Sequence, residues 1–189
     1  MSYKKLFFSI IVFVLVLTSF SQMTASSSEF KLTVGVMPAV DSAPIFLAQE
    51  KGYFKEEGLT VDLQIYTNAL NRQTALQTGA LDGAMTDLIA LVNNRQNNFK
   101  VRITTSTDGS FPFLVNKNFD ENSSEVKVGL MEISVTNFLT EQYLSDKYDL
   151  NKVYINEIPA RLEMVKAGKL DMAIIPEPMA SMGELNGLD

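Results

Sequence analysis

Residues 76–85 read Leu-Gln-Thr-Gly-Ala-Leu-Asp-Gly-Ala-Met, and residues 165–174 read Val-Lys-Ala-Gly-Lys-Leu-Asp-Met-Ala-Ile. Both stretches follow one plan: the end of a helix, Gly, one residue, Leu, Asp, then a short apolar strand. Gly79 and Gly168 supply the positive φ that ends a helix cheaply. Leu81 and Leu170 point to core packing. Asp82 and Asp171 are placed to accept from loop backbone N–H groups as the strand begins. Two copies of one helix-to-strand connection predict two α/β lobes.

The rest of the chain repeats the alternation. Strands are expected over 31–36, 60–65, 82–86 and 100–105. A helix carrying Ile45, Phe46, Ala48 and Gln49 is expected to be capped by Asp41 or Ser42, with Pro44 in its first turn and Gly52 at its end. Tyr53 and Phe54 then read as core packing, and Gly58 as a second turn. Helices are expected over 72–78 and 87–93, with the Asn-rich stretch 93–98 as a surface loop. Asp108, Gly109 and Pro112 break the pattern, and 111–116 reads as a strand leaving the first unit. The rhythm then restarts, with strands over 126–130, 152–156 and 171–175 and helices over 134–144, 160–166 and 178–184. Short connections between alternating strands and helices predict a mostly parallel sheet covered on both faces.

Composition narrows the chemistry. The chain has 189 residues, 46% of them apolar and 20% charged, which places it among globular proteins. It holds 16 basic and 22 acidic residues, and setting aside Lys4 and Lys5 leaves 14 against 22. That balance argues against nucleic acid, which needs clustered Lys and Arg. There is no Cys and no His. Disulfides, thiol nucleophiles, histidine triads and ordinary zinc sites are therefore excluded. No cofactor is expected.

Lys4 and Lys5 precede an apolar run from Leu6 to Leu17, interrupted by Ser9, and residues 18–28 are polar and small. This is the layout of a secretory signal peptide. The run is shorter than the roughly 20 residues of a membrane-crossing helix. Residues 1–28 are thus expected to be signal and spacer, and the protein periplasmic or secreted. An uncleaved N-terminal membrane anchor is the alternative.

The segments Phe46-Leu47-Ala48-Gln49-Glu50-Lys51-Gly52-Tyr53-Phe54-Lys55-Glu56-Glu57-Gly58-Leu59 and Gly79-Ala80-Leu81-Asp82-Gly83-Ala84, with Pro176-Glu177-Pro178 near the end, carry a family likeness. The chain resembles ABC-transporter substrate-binding proteins of the sulfonate, nitrate and taurine type. It equally resembles the NMT1/THI5-like group, which includes binders of thiamine-pyrimidine precursors. The resemblance implies a type II periplasmic binding protein fold, with lobe one over 29–108, lobe two over 109–189 and a solute in the cleft between them. It implies capture of a small molecule for an ABC permease at the membrane, without catalysis. It also implies a return of the chain to lobe one after Asp189, so the sequence reads as truncated. Two other readings follow: a remnant or secreted interaction protein that binds no solute, and a thiamine-pyrimidine biosynthetic enzyme. The lack of His and Cys argues against the enzyme.

Ligands in parallel α/β sheets bind beyond the carboxyl ends of the strands, beside helix N-termini. That rule selects Pro38, Asp41, Asn68, Asn71, Thr86, Asp87 and Ser106 in lobe one, and Glu132, Ser134, Glu157 and Glu177 in lobe two. Ser134 also suits plain helix capping, and Asp41, Asp87 and Glu177 suit helix N-termini without any ligand. The number of carboxylates favours a cationic or donor-rich ligand, such as a nitrogenous heterocycle, over a sulfonate. Arg72 and Arg161 could receive an anionic group, but read more simply as basic residues facing solvent.

Overall fold

The computed structural model describes residues 30–189. The signal segment and its cleavage site fall outside the described residues. In order, the elements are β1 (Phe30–Val36), a 3-10 turn (Val40–Ser42), α1 (Ala43–Lys51), α2 (Tyr53–Glu56), β2 (Leu59–Ile65), α3 (Ala69–Gln77), β3 (Gly83–Ala84) and α4 (Leu88–Gln96). They continue with β4 (Phe113–Val115), β5 (Glu125–Leu130), α5 (Val135–Leu144), β6 (Asp149–Tyr154), α6 (Ile158–Lys166), β7 (Met172–Ile174) and α7 (Met179–Leu185).

Two separate sheets result, ordered β2-β1-β3 and β4-β7-β5-β6, and no strand runs through both. β1 and β3 pair in parallel, as do β5 with β6 and β5 with β7. β4 runs antiparallel to β7, as a strand that carries the chain into a new sheet can do. This is a two-lobed α/β fold of the type II periplasmic binding protein class.

The sequence echo is a structural one. Gly79 and Gly168 both take positive φ, 76° and 67°. Asp82 Oδ2 accepts from Thr33 N at 2.8 Å, and Asp171 Oδ2 accepts from Lys127 N at 2.7 Å. The same two aspartates donate their own N–H to Thr33 O and Lys127 O. Each carboxylate therefore ties the entry of one strand to the middle of its neighbour. Leu81 and Leu170 fill equivalent gaps: a Cβ on Gly35 would overlap Leu81 Cδ1, and one on Gly129 would overlap Leu170 Cδ1. Glycine at these two positions is what lets each leucine seat on its sheet.

The apolar core is weighted towards the second sheet. One cluster gathers Leu114, Ile158, Leu162, Val165, Leu170, Ala173 and Ile175, and Met37 joins it from the first lobe. A second gathers Val126, Val128, Leu130, Tyr148 and Met172. Large apolar side chains are exposed in both lobes, among them Leu47 on α1, Leu70 on α3 and Leu88 on α4, and Phe138 and Tyr143 on α5 and Leu185 on α7.

Several local expectations are corrected. No strand forms over 100–105. β3 holds only two residues, Arg95 Nη1 donates to Val101 O, and Val101 N donates back to Phe99 O instead of to a neighbouring strand. Only the end of the Asn-rich stretch is a loop: α4 runs to Gln96, buried Asn94 accepts from Gln77 Nε2 at 2.8 Å, and Asn97 and Asn98 form the turn beyond. Neither Asp41 nor Ser42 caps α1 through its side chain, because a 3-10 turn already brings Ser42 into helical backbone. Helix α3 begins at Ala69, three residues before the expected start, with Asn68 as its cap. Tyr53 is 52% exposed instead of packed in the core.

Candidate functional site

The loops that follow β1, β2, β3, β5, β6 and β7 meet where the two lobes face each other. Among the described residues, three hydrogen bonds cross that interface. Val40 N donates to Glu177 O at 3.0 Å. Asn68 Nδ2 donates to Glu157 Oε1 at 3.1 Å. Val135 N donates to Asp87 Oδ2 at 3.1 Å.

Two of the three bonds involve side chains that also cap helices, and the bond from Val40 is between backbones. Asn68 Oδ1 caps α3 by accepting from Asn71 N, which leaves its amide to reach Glu157 at the start of α6. Asn68 and Glu157 hold equivalent places in the internal repeat, so the repeat meets itself across the interface. Asp87 Oδ1 caps α4 through Ala90 N at 2.8 Å, and its second oxygen serves the first residue of α5. Ser134 caps α5 through Thr136 N and is buried. Glu177 accepts from Ser181 N in α7 through Oε2.

Beneath these caps lie two buried arginines. Arg72 is 5% exposed and donates from Nη2 to Thr86 Oγ1 at 3.0 Å. Burial lowers its pKa, while the charges of Asp87 and Asp41 pull it back up. Arg161 is fully buried, donates from Nη1 to Ile155 O at 2.7 Å, and is pushed down to about 10 by burial, against the opposing pull of Glu157. The Nε of both arginines and Nη2 of Arg161 have no hydrogen-bond partner among the described residues. The expectation that Arg72 and Arg161 face solvent is therefore wrong. The signal that could have found them lies in the repeat: each stands seven residues before its glycine, Gly79 or Gly168. Their Cγ atoms lie 3.1 and 3.7 Å from where a Cβ would sit on Gly35 and Gly129. Residues that small leave room for an arginine stem beside each sheet.

An open groove of about 900 Å³ adjoins the interface, lined by Pro38, Val40, Pro44, Phe46, Leu47 and Pro178, with Glu50 and Glu177 as its carboxylates. A second cavity of about 540 Å³ lies between α1 and residues 105–108 and includes Phe54 and Ser106.

The interface thus brings together Asn68, Thr86, Asp87, Ser134 and Glu157, with Pro38 and Glu177 on the adjoining groove. It leaves four expected residues outside. Asp41 bonds within lobe one, where its Oδ1 accepts from Ser42 Oγ at 3.2 Å and its carbonyl accepts from Thr107 Oγ1. Asn71 is exposed and contributes its backbone N–H to the cap. Ser106 lines the other cavity. Glu132 is exposed, and its carbonyl accepts from Asn137 Nδ2. No group of three or more His, Cys, Asp or Glu able to hold a metal occurs among the described residues, and no described helix is long and apolar enough to cross a membrane.

A family model described as the NMT1-like family matches residues 25–178. The chain belongs to the NMT1-like family. Among solved structures, the fold of this NMT1-like chain is similar to a ligand-binding component of an ABC-type import system from Staphylococcus aureus, with zinc bound. There the TM-score is 0.75 at 16% identity, covering 84% of this chain and 58% of that one. It is also similar to the alkanesulfonate-binding protein SsuA from Xanthomonas axonopodis pv. citri bound to MOPS, with TM-score 0.66, 19% identity, and 83% and 58% coverage. In sequence, 61 residues (32% of this chain) are 34% identical to 9% of the nitrate import ATP-binding protein NrtC of Synechococcus elongatus. The NMT1-like chain spans a little over half the length of the two structures it resembles.

Proposed function

We propose that this chain captures a small solute outside the cytoplasm for an ABC-type importer, holding it between its two lobes and delivering it to a membrane permease. It performs no bond chemistry of its own. The solute is a nitrogenous heterocycle of the pyrimidine-precursor kind. One observation carries the reading. Carboxylates from both lobes meet at the same interface, Asp87 from one side and Glu157 from the other, beside an apolar groove that also carries Glu177. Ring amines and amidine-like nitrogens are donors that such carboxylates accept from, and a flat ring has apolar walls in Pro38, Phe46 and Pro178 to lie against. Binding of this kind draws on lobe closure and displaced water, and the interface already holds the hydrogen-bonding groups that change partners when a solute enters.

Thermal melting of the protein with a panel of 4-aminopyrimidines, thiamine, riboflavin, ethanesulfonate and nitrate tests it. A ligand at a hundred times its dissociation constant adds about 2.7 kcal/mol, which raises Tm by roughly 5–10 °C in a domain of this size. The expected result is a shift of that order with the aminopyrimidines and none with nitrate. A cooperative melt unmoved by every compound would favour a secreted protein that binds no solute. A larger shift with ethanesulfonate than with the pyrimidines would overturn the assignment of the ligand class.

A further inference from the structure

Asn68 and Glu157 each stand eleven residues before the glycine of their repeat, Gly79 or Gly168. The two side chains do not behave alike. Asn68 caps its own helix, with Oδ1 accepting from Asn71 N at 2.8 Å at the start of α3. Glu157 precedes α6 in the same way but makes no side-chain cap. A carboxylate at a helix N-terminus is favoured by the N–H groups there. This one turns to the opposite lobe, where its Oε1 accepts from Asn68 Nδ2 at 3.1 Å.

The amide nitrogen of Asn68 is not needed for its cap. Ser, Asp and Asn cap helices about equally well through a single oxygen. What Asn adds is an NH2 group, and here that group goes to Glu157. Asn68 is only 4% exposed, whereas Glu157 is exposed and its Oε2 has no hydrogen-bond partner among the described residues. The carboxylate is thus open to solvent on one oxygen and occupied on the other by a planar amide. An amide NH2 donates in the plane of an sp2 carbon, as the amino group of a nitrogen heterocycle or an amidine does.

We propose that Asn68 is an internal competitor for the solute: its amide occupies the Glu157 oxygen that receives an amino or amidine N–H when a solute binds, so this pair determines which donors the site accepts and how tightly. The proposal rests on the reading of the lobe interface as the solute site and deepens it by naming the acceptor and the group that must leave it. The same bond joins lobe one to lobe two when no solute is present. A site that is self-occupied most of the time binds its ligand more weakly, in proportion to the fraction left free.

Two probes, 4-aminopyrimidine and acetamidine, are titrated into the full chain and four variants, with binding followed by chemical shift. Asn68→Ser and Asn68→Asp each keep an oxygen able to cap α3 and carry no amide. Glu157→Gln keeps the length of the side chain and removes its charge. The fourth variant combines Asn68→Ser with Glu157→Gln. N68S should bind at least one probe roughly tenfold more tightly than the wild-type protein, as expected when a competitor that holds the site nine-tenths of the time is removed. N68D should move in the same direction. E157Q should bind more weakly than wild type, and the double variant should lose the gain. Removal of a merely structural contact would not tighten binding. Folded N68S and N68D with unchanged or weaker binding of both probes would overturn the proposal, as would a gain that survives in the double variant. A gain with acetamidine and none with 4-aminopyrimidine would support the role of Asn68 while removing the heterocycle. Wild-type melting shifts with aminopyrimidines, without any gain in N68S or N68D, would overturn the role of Asn68 and leave the solute reading standing.

Discussion

Arg161 shows how a buried charge fits a fold of this size. It is fully buried, with Nε and Nη2 unpartnered among the described residues. Its pKa, pushed down to about 10, still leaves it charged at neutral pH. A cation whose folded pKa lies below its unfolded value opposes folding at every pH below the folded value, and relief begins only as pH rises through about 10. Arg161→Met keeps the stem that packs beside Gly129 and removes the charge. The variant is expected to be on the order of 1 kcal/mol more stable, because an apolar replacement of a buried charged group is often neutral or stabilising. The difference should be flat between pH 6 and 9. Urea unfolding at several pH values measures it, and a loss of more than about 2 kcal/mol would mean that the Nη1 bond to Ile155 O outweighs the burial cost. At this scale the sequence was half legible. Asp87, Asn68 and Glu157 could be placed because strand ends and helix starts were visible. The burial of Arg72 and Arg161 was missed: their matching places in the repeat hinted at it, but the room for it comes from glycines in strands distant along the chain, Gly35 and Gly129.

Among the elements, the paired helix–Gly–x–Leu–Asp connections are the strongest link from sequence to structure. Asp82 and Asp171 each accept a backbone N–H from the neighbouring strand, in sheets that do not touch through shared strands. Asp82→Ala and Asp171→Ala should each cost about 1–2 kcal/mol, from loss of a charge-assisted bond at a partly open site. The double variant should be additive to within about 0.5 kcal/mol, as expected for separated residues with no common partner. Equilibrium denaturation of the three variants checks this, and a marked departure from additivity would show that the sheets unfold through a shared contact. Where local pattern competed with neighbours, the reading failed. Residues 100–105 carry Val101 and Ile103 in alternation, but a strand needs a partner backbone, and two-residue β3 does not extend far enough to offer one. The stretch 93–98 looked like a loop because Asn is a poor helix former, yet Asn94 is buried and bonded to Gln77 of α3, which tertiary packing decides.

For the whole molecule, stability is unevenly shared. Both apolar clusters centre on the second sheet, whereas α1 has no buried residue and α4 buries only Ala90 and Asn94. Amide exchange should accordingly be slowest in β5 and β7 and markedly faster in α1 and α4, since exchange follows the local density of buried contacts. Equal protection in both halves would contradict that ordering. The two-lobed plan was readable because the alternation of strands and helices breaks at Asp108 to Pro112 and then restarts. The closeness of the lobes was not, because it rests on single side chains bonding across the interface. The claim on which the rest depends is that these lobes move against each other as a solute enters. The chain has no cysteine, so spin labels on Lys51→Cys in α1 and Lys147→Cys after α5 would be the only two in the molecule. Pulsed electron–electron distance measurement should give one distribution for the protein alone and a displaced distribution with a 4-aminopyrimidine at saturation. A single distribution, identical with and without every compound of the panel, would contradict the account.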